Sequence, residues 1–175
     1  MKKLTQYILE SLKGNGWLAT AKTKEEPFVK AALEIDGWEV KSGSLDQDFE
    51  VIELIAKRDA TQPDKDGFYN PGGKFTVDVK GCDEKNKKAK TFVLVTKSAS
   101  GKEYSYKENG CFAFIDYADK TIVLVSQMDI KSLVSKYKEY DSESNDDSKY
   151  VLLPKNAVKK LGRIIDPIEE LKKMI

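Results

Sequence analysis

The chain has 175 residues, a length suited to one domain with a core that needs no metal or disulfide staple. Its 30 basic residues nearly balance 29 acidic ones, so no global field announces a nucleic-acid partner, and such a partner would have to be recognised by local charge. Histidine is absent, which excludes a Ser-His triad, a Cys-His dyad and any His-ligated zinc site.

Chemistry here would therefore rest on Asp, Glu, Lys, Tyr and Ser, with or without a metal. Cys82 and Cys111 match no metal-ligand spacing and read as reduced thiols of a cytoplasmic protein. No apolar run reaches membrane-spanning length, so no membrane partner is expected.

Leu4, Tyr7, Ile8 and Leu12 recur at helical spacing and predict an N-terminal helical extension within residues 1–22. Thr23 with Glu26 at the capping-box position, then Pro27, predicts a helix over 24–36 closed by Asp36-Gly37. Trp38 to Lys41 reads as a strand, and Ser44 with Gln47 as the cap of a short helical turn. Val51 to Ala56 fits either a helix or a buried strand; a strand over 52–59 is the preferred reading. Pro63, Gly67, Pro71, Gly72 and Gly73 punctuate a long connection.

Lys74 to Gly81 alternates as a half-buried strand should. Phe75, Val77 and Val79 fall on one face; Thr76, Asp78 and Lys80 fall on the other. A basic loop follows, with Lys85, Lys87, Lys88 and Lys90. Further strands are predicted at 91–96, around Tyr104 and Tyr106, at 111–116, 121–126 and 150–154. Ile130, Leu133, Val134 and Tyr137 mark a helix, 140–149 reads as a mobile loop, and two helices are expected over 156–161 and from Asp166-Pro167 to the end. The result is a single α+β domain, α/β/α-like, with one mixed sheet flanked by helices.

Asp78-Val79-Lys80 places a carboxylate and an ammonium on one side of a rigid element. The carboxylate can hold a hard divalent cation, and the lysine can orient water or offset developing phosphate charge. An exposed cross-strand ion pair is the bland reading of the same tripeptide.

With the Gly-Trp strand entry and the acidic strand before it, Val77-Asp78-Val79-Lys80-Gly81 resembles the core of the PD-(D/E)xK nuclease superfamily, in particular its Holliday-junction-resolvase-like and phage-borne restriction-type members. The resemblance spans residues 24–135 and implies a restriction-endonuclease-like core. It implies a metal-dependent DNA endonuclease using Mg2+, with Mn2+ as a substitute, associated with a phage or mobile element. Asp78 and a carboxylate of the preceding strand would hold the metal, with the Val79 carbonyl as a further ligand. Lys80 would act at the reacting phosphate, and Glu26 would be the helix glutamate. Two residues compete for the strand carboxylate: Glu53, which opens a good strand, and Asp64, which supplies the literal Pro-Asp pair but sits in poor strand sequence. Lys85, Lys87, Lys88 and Lys90 would contact DNA phosphates, Tyr104 and Tyr106 would either stack on bases or, the preferred reading, pack in the sheet, and a homodimer stays open. The alternative is a non-catalytic DNA-binding or assembly module on a degenerate nuclease fold.

Overall fold

The computed structural model describes residues 24–46, 51–59, 73–81, 88–143 and 146–175. The predicted N-terminal helix, Asp64, Lys85 and Lys87 lie outside the described residues.

Helix α1 (Glu26–Ile35) places Phe28, Val29, Ala32 and Leu33 on one buried stripe, the 3.6-residue spacing of an amphipathic helix. Gly37 closes it at φ 96°, where only a residue without a Cβ sits at no cost, and the Trp38 N–H returns to Leu33 O at 3.0 Å. The chain then enters an antiparallel meander of β1 (Glu39–Asp46), β2 (Val51–Arg58) and β3 (Gly73–Gly81). Strand β4 (Thr91–Lys97) leaves this sheet, and the chain returns as β5 (Gly110–Asp116), which pairs parallel to β3. Strand β6 (Thr121–Ser126) follows by a hairpin, and after it come α2 (Gln127–Val134), β7 (Glu139–Asp141), β8 (Lys149–Pro154), α3 (Lys155–Leu161), β9 (Arg163–Ile165) and α4 (Glu169–Lys172).

The fold is α+β, with a mixed six-stranded sheet ordered β1-β2-β3-β5-β6-β9 and a three-stranded sheet ordered β4-β8-β7. The expectation of a single sheet is corrected here. Phe92 and Leu94 of β4, and Val151 and Leu153 of β8, alternate inward. Their buried faces cover the larger sheet instead of extending its edge. Alternation alone fixes which side of a strand is buried, not which sheet the strand joins.

The two faces of the large sheet have different covers. Phe75, Val77 and Val79 face α1, and Phe75 meets Trp38 edge to face at 4.9 Å. Thr76, Asp78 and Lys80 share the other face with their register partners Gly110, Phe112 and Phe114. That face is covered by the small sheet, where Phe92 stacks on Phe114 at 4.9 Å. One side of the large sheet is thus covered by α1, the other by the small sheet together with the starts of α2 and α3.

Smaller differences follow the same logic. Strand β1 runs on through Asp46, so Ser44 is extended, and Gln47 lies outside the described residues. The segment around Tyr104 and Tyr106 forms only the isolated bridge Lys97–Glu103 and not a strand. Within the segment expected to be mobile, Tyr140 and Asp141 belong to β7 and pair with β8. The C-terminal helix is confined to Glu169–Lys172, and the preceding Arg163–Ile165 is an edge strand on β6.

Candidate functional site

Register fixes the centre of the site. Glu53 of β2 lies directly opposite Asp78 of β3. Partners in register share a face, with Cβ atoms about 4.5–5.5 Å apart. Lys80 lies two residues along β3 on that same face, its Nζ 5.3 Å from the Tyr104 ring centroid and 5.5 Å from that of Phe112. The ladder between β2 and β3 ends at Ile52–Val79, while β3 stays paired to β5 as far as Gly81. Lys80 therefore lies one residue beyond the last β2–β3 pair.

Asp78 is only 3% exposed. A carboxylate that deep needs donors, since a buried charge without them is strongly destabilising. Tyr104 donates its hydroxyl to Asp78 Oδ2, and Gln127 Nε2 donates to the same oxygen at 3.1 Å. Gln127 is fully buried and held from both ends, because its Oε1 accepts the Lys107 N–H at 2.8 Å. Gly110 makes this possible: a Cβ there would fall 2.7 Å from the Gln127 amide carbon.

Glu53 is more open. Its Oε1 pairs with Lys107 Nζ, and Ser44 Oγ lies 3.5 Å from its Oε2, a long contact. Beside them, Thr76 Oγ1 is buried without a hydrogen-bond partner among the described residues. Cys111 is wholly buried, and burial, then the charge of Asp78, pushes its thiol up. It stays protonated and unreactive.

The structure does not bring the helix glutamate to this face. Glu26 is half-buried in the first turn of α1, which packs on the opposite side of the sheet. The buried carboxylate there is Glu25, which takes the Tyr117 hydroxyl at 2.5 Å and lies against the Cα of Gly81, where any Cβ would collide with it. Val79 turns its side chain into the α1 side. Lys88 and Lys90 are exposed; the Lys90 carbonyl accepts the Lys155 N–H at 2.9 Å, which ties that segment to α3. Nearby Asp116, 1% exposed, pairs with Lys155 at 2.6 Å and Lys159 at 2.9 Å. Burial opposes its ionisation, but the two ammonium groups outweigh burial and hold its carboxyl below the ordinary value.

The sequence reading missed Gln127 and Lys107 altogether, and it placed Tyr104 as a base-stacking or, preferably, a packed strand residue, not as a donor to Asp78. They reach Asp78 and Glu53 across 26 to 54 residues of chain. The one local signal was the amide of Gln127 directly after an unbroken apolar strand, at the start of a helix capped by Ser126.

Among the described residues, no group of three or more His, Cys, Asp or Glu could hold a metal ion. The Glu53–Asp78 pair is a hard, all-oxygen donor set of two, with the unpartnered Thr76 hydroxyl beside it. Two carboxylates are within the number of protein ligands that a magnesium-type cation takes, water and phosphate completing its shell. No helix among the described residues is long and apolar enough to cross a membrane. No family model, curated protein or solved structure matches the chain.

Proposed function

We propose that this chain is a metal-dependent deoxyribonuclease with a restriction-endonuclease-like core, hydrolysing phosphodiester bonds at the Glu53–Asp78–Lys80 face. The observation that carries the reading is register. Two carboxylates on adjacent strands stand opposite one another, and an ammonium follows two residues along on the same face.

In this reading Glu53 and Asp78 hold the cation, in preference to Asp64. The cation, when bound, neutralises phosphate charge and lowers the pKa of water at the site. Tyr104 and Gln127 hold Asp78 in one orientation and keep its charge satisfied when no cation is present. Lys107 balances Glu53 in the same way, and would have to give up that carboxylate for Glu53 to serve as a ligand. Lys80, backed by Tyr104 and Phe112, faces the scissile phosphate and stabilises its developing charge. Lys85, Lys87, Lys88 and Lys90 follow Lys80 in sequence and contact flanking phosphates. Glu26 has no role, because its helix packs on the opposite face.

A second reading is favoured by the depth of Asp78 and by the Lys107–Glu53 pair: a DNA-binding or assembly module in which the carboxylates serve only the fold. Incubation with branched junctions, linear duplex and single strands separates the two. The nuclease reading expects cutting of at least one substrate in Mg2+ or Mn2+ and none in EDTA. Binding without cutting of any substrate would select the second.

A further inference from the structure

Where the small sheet meets the 103–106 segment, with Tyr104 linking it to Asp78, lies a pocket of about 300 Å³ lined in part by Thr96, Lys97, Tyr104, Tyr106, Glu139 and Lys149. We propose that this pocket receives one unpaired nucleobase of the DNA strand, held against Tyr106 beside the carboxylate pair. The proposal rests on the nuclease reading for its substrate class and adds the feature of the substrate that is recognised.

The pocket has an aromatic wall and a polar wall. Tyr104 and Tyr106 meet edge to face at 4.9 Å, and both rest on the buried Phe112 ring, at 5.5 and 6.4 Å. The core therefore fixes their planes before any ligand arrives. On the polar side, Glu139 accepts the Thr96 hydroxyl at 2.5 Å, and Lys149 lies 3.6 Å from its other oxygen. Burial, then the charge of Glu139, pushes the Tyr106 hydroxyl up to about 12, so it remains a donor at every working pH.

These features narrow the ligand. A wholly apolar molecule would desolvate Glu139 and Lys149 without replacing their partners. A bare phosphate would meet the Glu139 and Glu103 carboxylates. A nucleobase satisfies both walls: its face stacks on tyrosine, and an exocyclic amino group can donate to Glu139 while the strand's phosphates meet Lys97 and Lys149. The volume is at the small end for a ligand site and suits a single ring system.

Position links the pocket to the reaction. Tyr104 is a shared wall, its ring lining the pocket and its hydroxyl donating to Asp78. A base in the pocket is separated from Asp78 by one side chain, which brings an adjoining phosphodiester to the carboxylate face. A paired base cannot enter, so the pocket selects strands with an unpaired nucleotide at the cut: single strands, frays or branch points.

The test measures binding in EDTA, where cutting plays no part. Wild-type protein should bind a single-stranded oligodeoxycytidine more tightly than an abasic strand of equal length, by about 5- to 150-fold, the span of one base–aromatic stack. Tyr106→Leu should abolish that preference, and Tyr106→Phe should retain it, with thermal unfolding confirming that each variant folds. Equal binding of both strands by wild type, or a preference that survives Tyr106→Leu, would overturn the pocket. Neither result bears on whether wild type cuts in Mg2+, so the pocket and the nuclease reading fail separately.

Discussion

Gln127→Leu removes the amide that joins Asp78 to the Lys107 backbone and leaves the side-chain volume nearly unchanged. Two bonds disappear: a donor to a buried carboxylate at 3.1 Å and an acceptor for a backbone N–H at 2.8 Å. A hydrogen bond to a charged group contributes about 1.5–3 kcal/mol, and an orphaned buried donor costs about 1–3 kcal/mol. Lys107 is itself exposed, so water recovers part of the second amount, and the added apolar burial recovers a little more. The expected loss is about 2–4 kcal/mol. Urea unfolding measures it as a lower midpoint at unchanged slope. A loss below about 0.5 kcal/mol, the range of an ordinary surface substitution, would show that Gln127 does not hold Asp78.

Asp116→Asn should cost about 3–5 kcal/mol, because it leaves the buried Lys155 without its carboxylate; a loss under 1 kcal/mol by the same unfolding assay would mean the ion pair does not hold α3 to the sheet. The folded-state pKa of Asp116 is lowered, so its contribution is complete above the ordinary 3.8 and is lost as pH falls through the lower folded value. Wild type should therefore lose stability more steeply than Asp116→Asn below pH 3.8, and parallel acid profiles would contradict this. Gly43→Ala places a methyl group against the Glu53 carbonyl oxygen, at the irregularity in the β1–β2 ladder, where backbone cannot yield. It should destabilise by about 1–3 kcal/mol, and full stability on thermal unfolding would show that β1 can shift at Glu53.

The strand bearing Asp78 was legible because Lys74 to Gly81 alternates without interruption, and period two alone puts Asp78 and Lys80 on one face. Glu53 could be named as a candidate but not chosen over Asp64. That choice depends on register between strands, which the residues of one strand do not encode. Helix α1 was legible from its apolar spacing, yet spacing shows which side of a helix is buried and not which side of a sheet it covers. The expectation that Glu26 joins Asp78 failed on that point. Gln127 and Lys107 were invisible as site residues, and the Tyr104 bond to Asp78 with them, because each comes from a distant loop or helix start, where no periodicity marks function. The second sheet was hidden for a related reason. Strands β4 and β8 read as good strands, and only their long-range pairing makes them a separate layer.

The central claim is that Asp78 serves a cation and a phosphodiester as well as the fold. Asp78→Asn tests it most directly, since the amide keeps the size of the side chain and can still accept from Tyr104. Wild type and Asp78→Asn are compared for cutting in Mg2+ and for binding to the same DNA in EDTA. The account predicts that wild type cuts in Mg2+, and that Asp78→Asn binds DNA within a few-fold of wild type but loses cutting by about a hundredfold or more. Cutting by Asp78→Asn at the wild-type rate, or no cutting of any DNA by a folded wild-type protein, would contradict it.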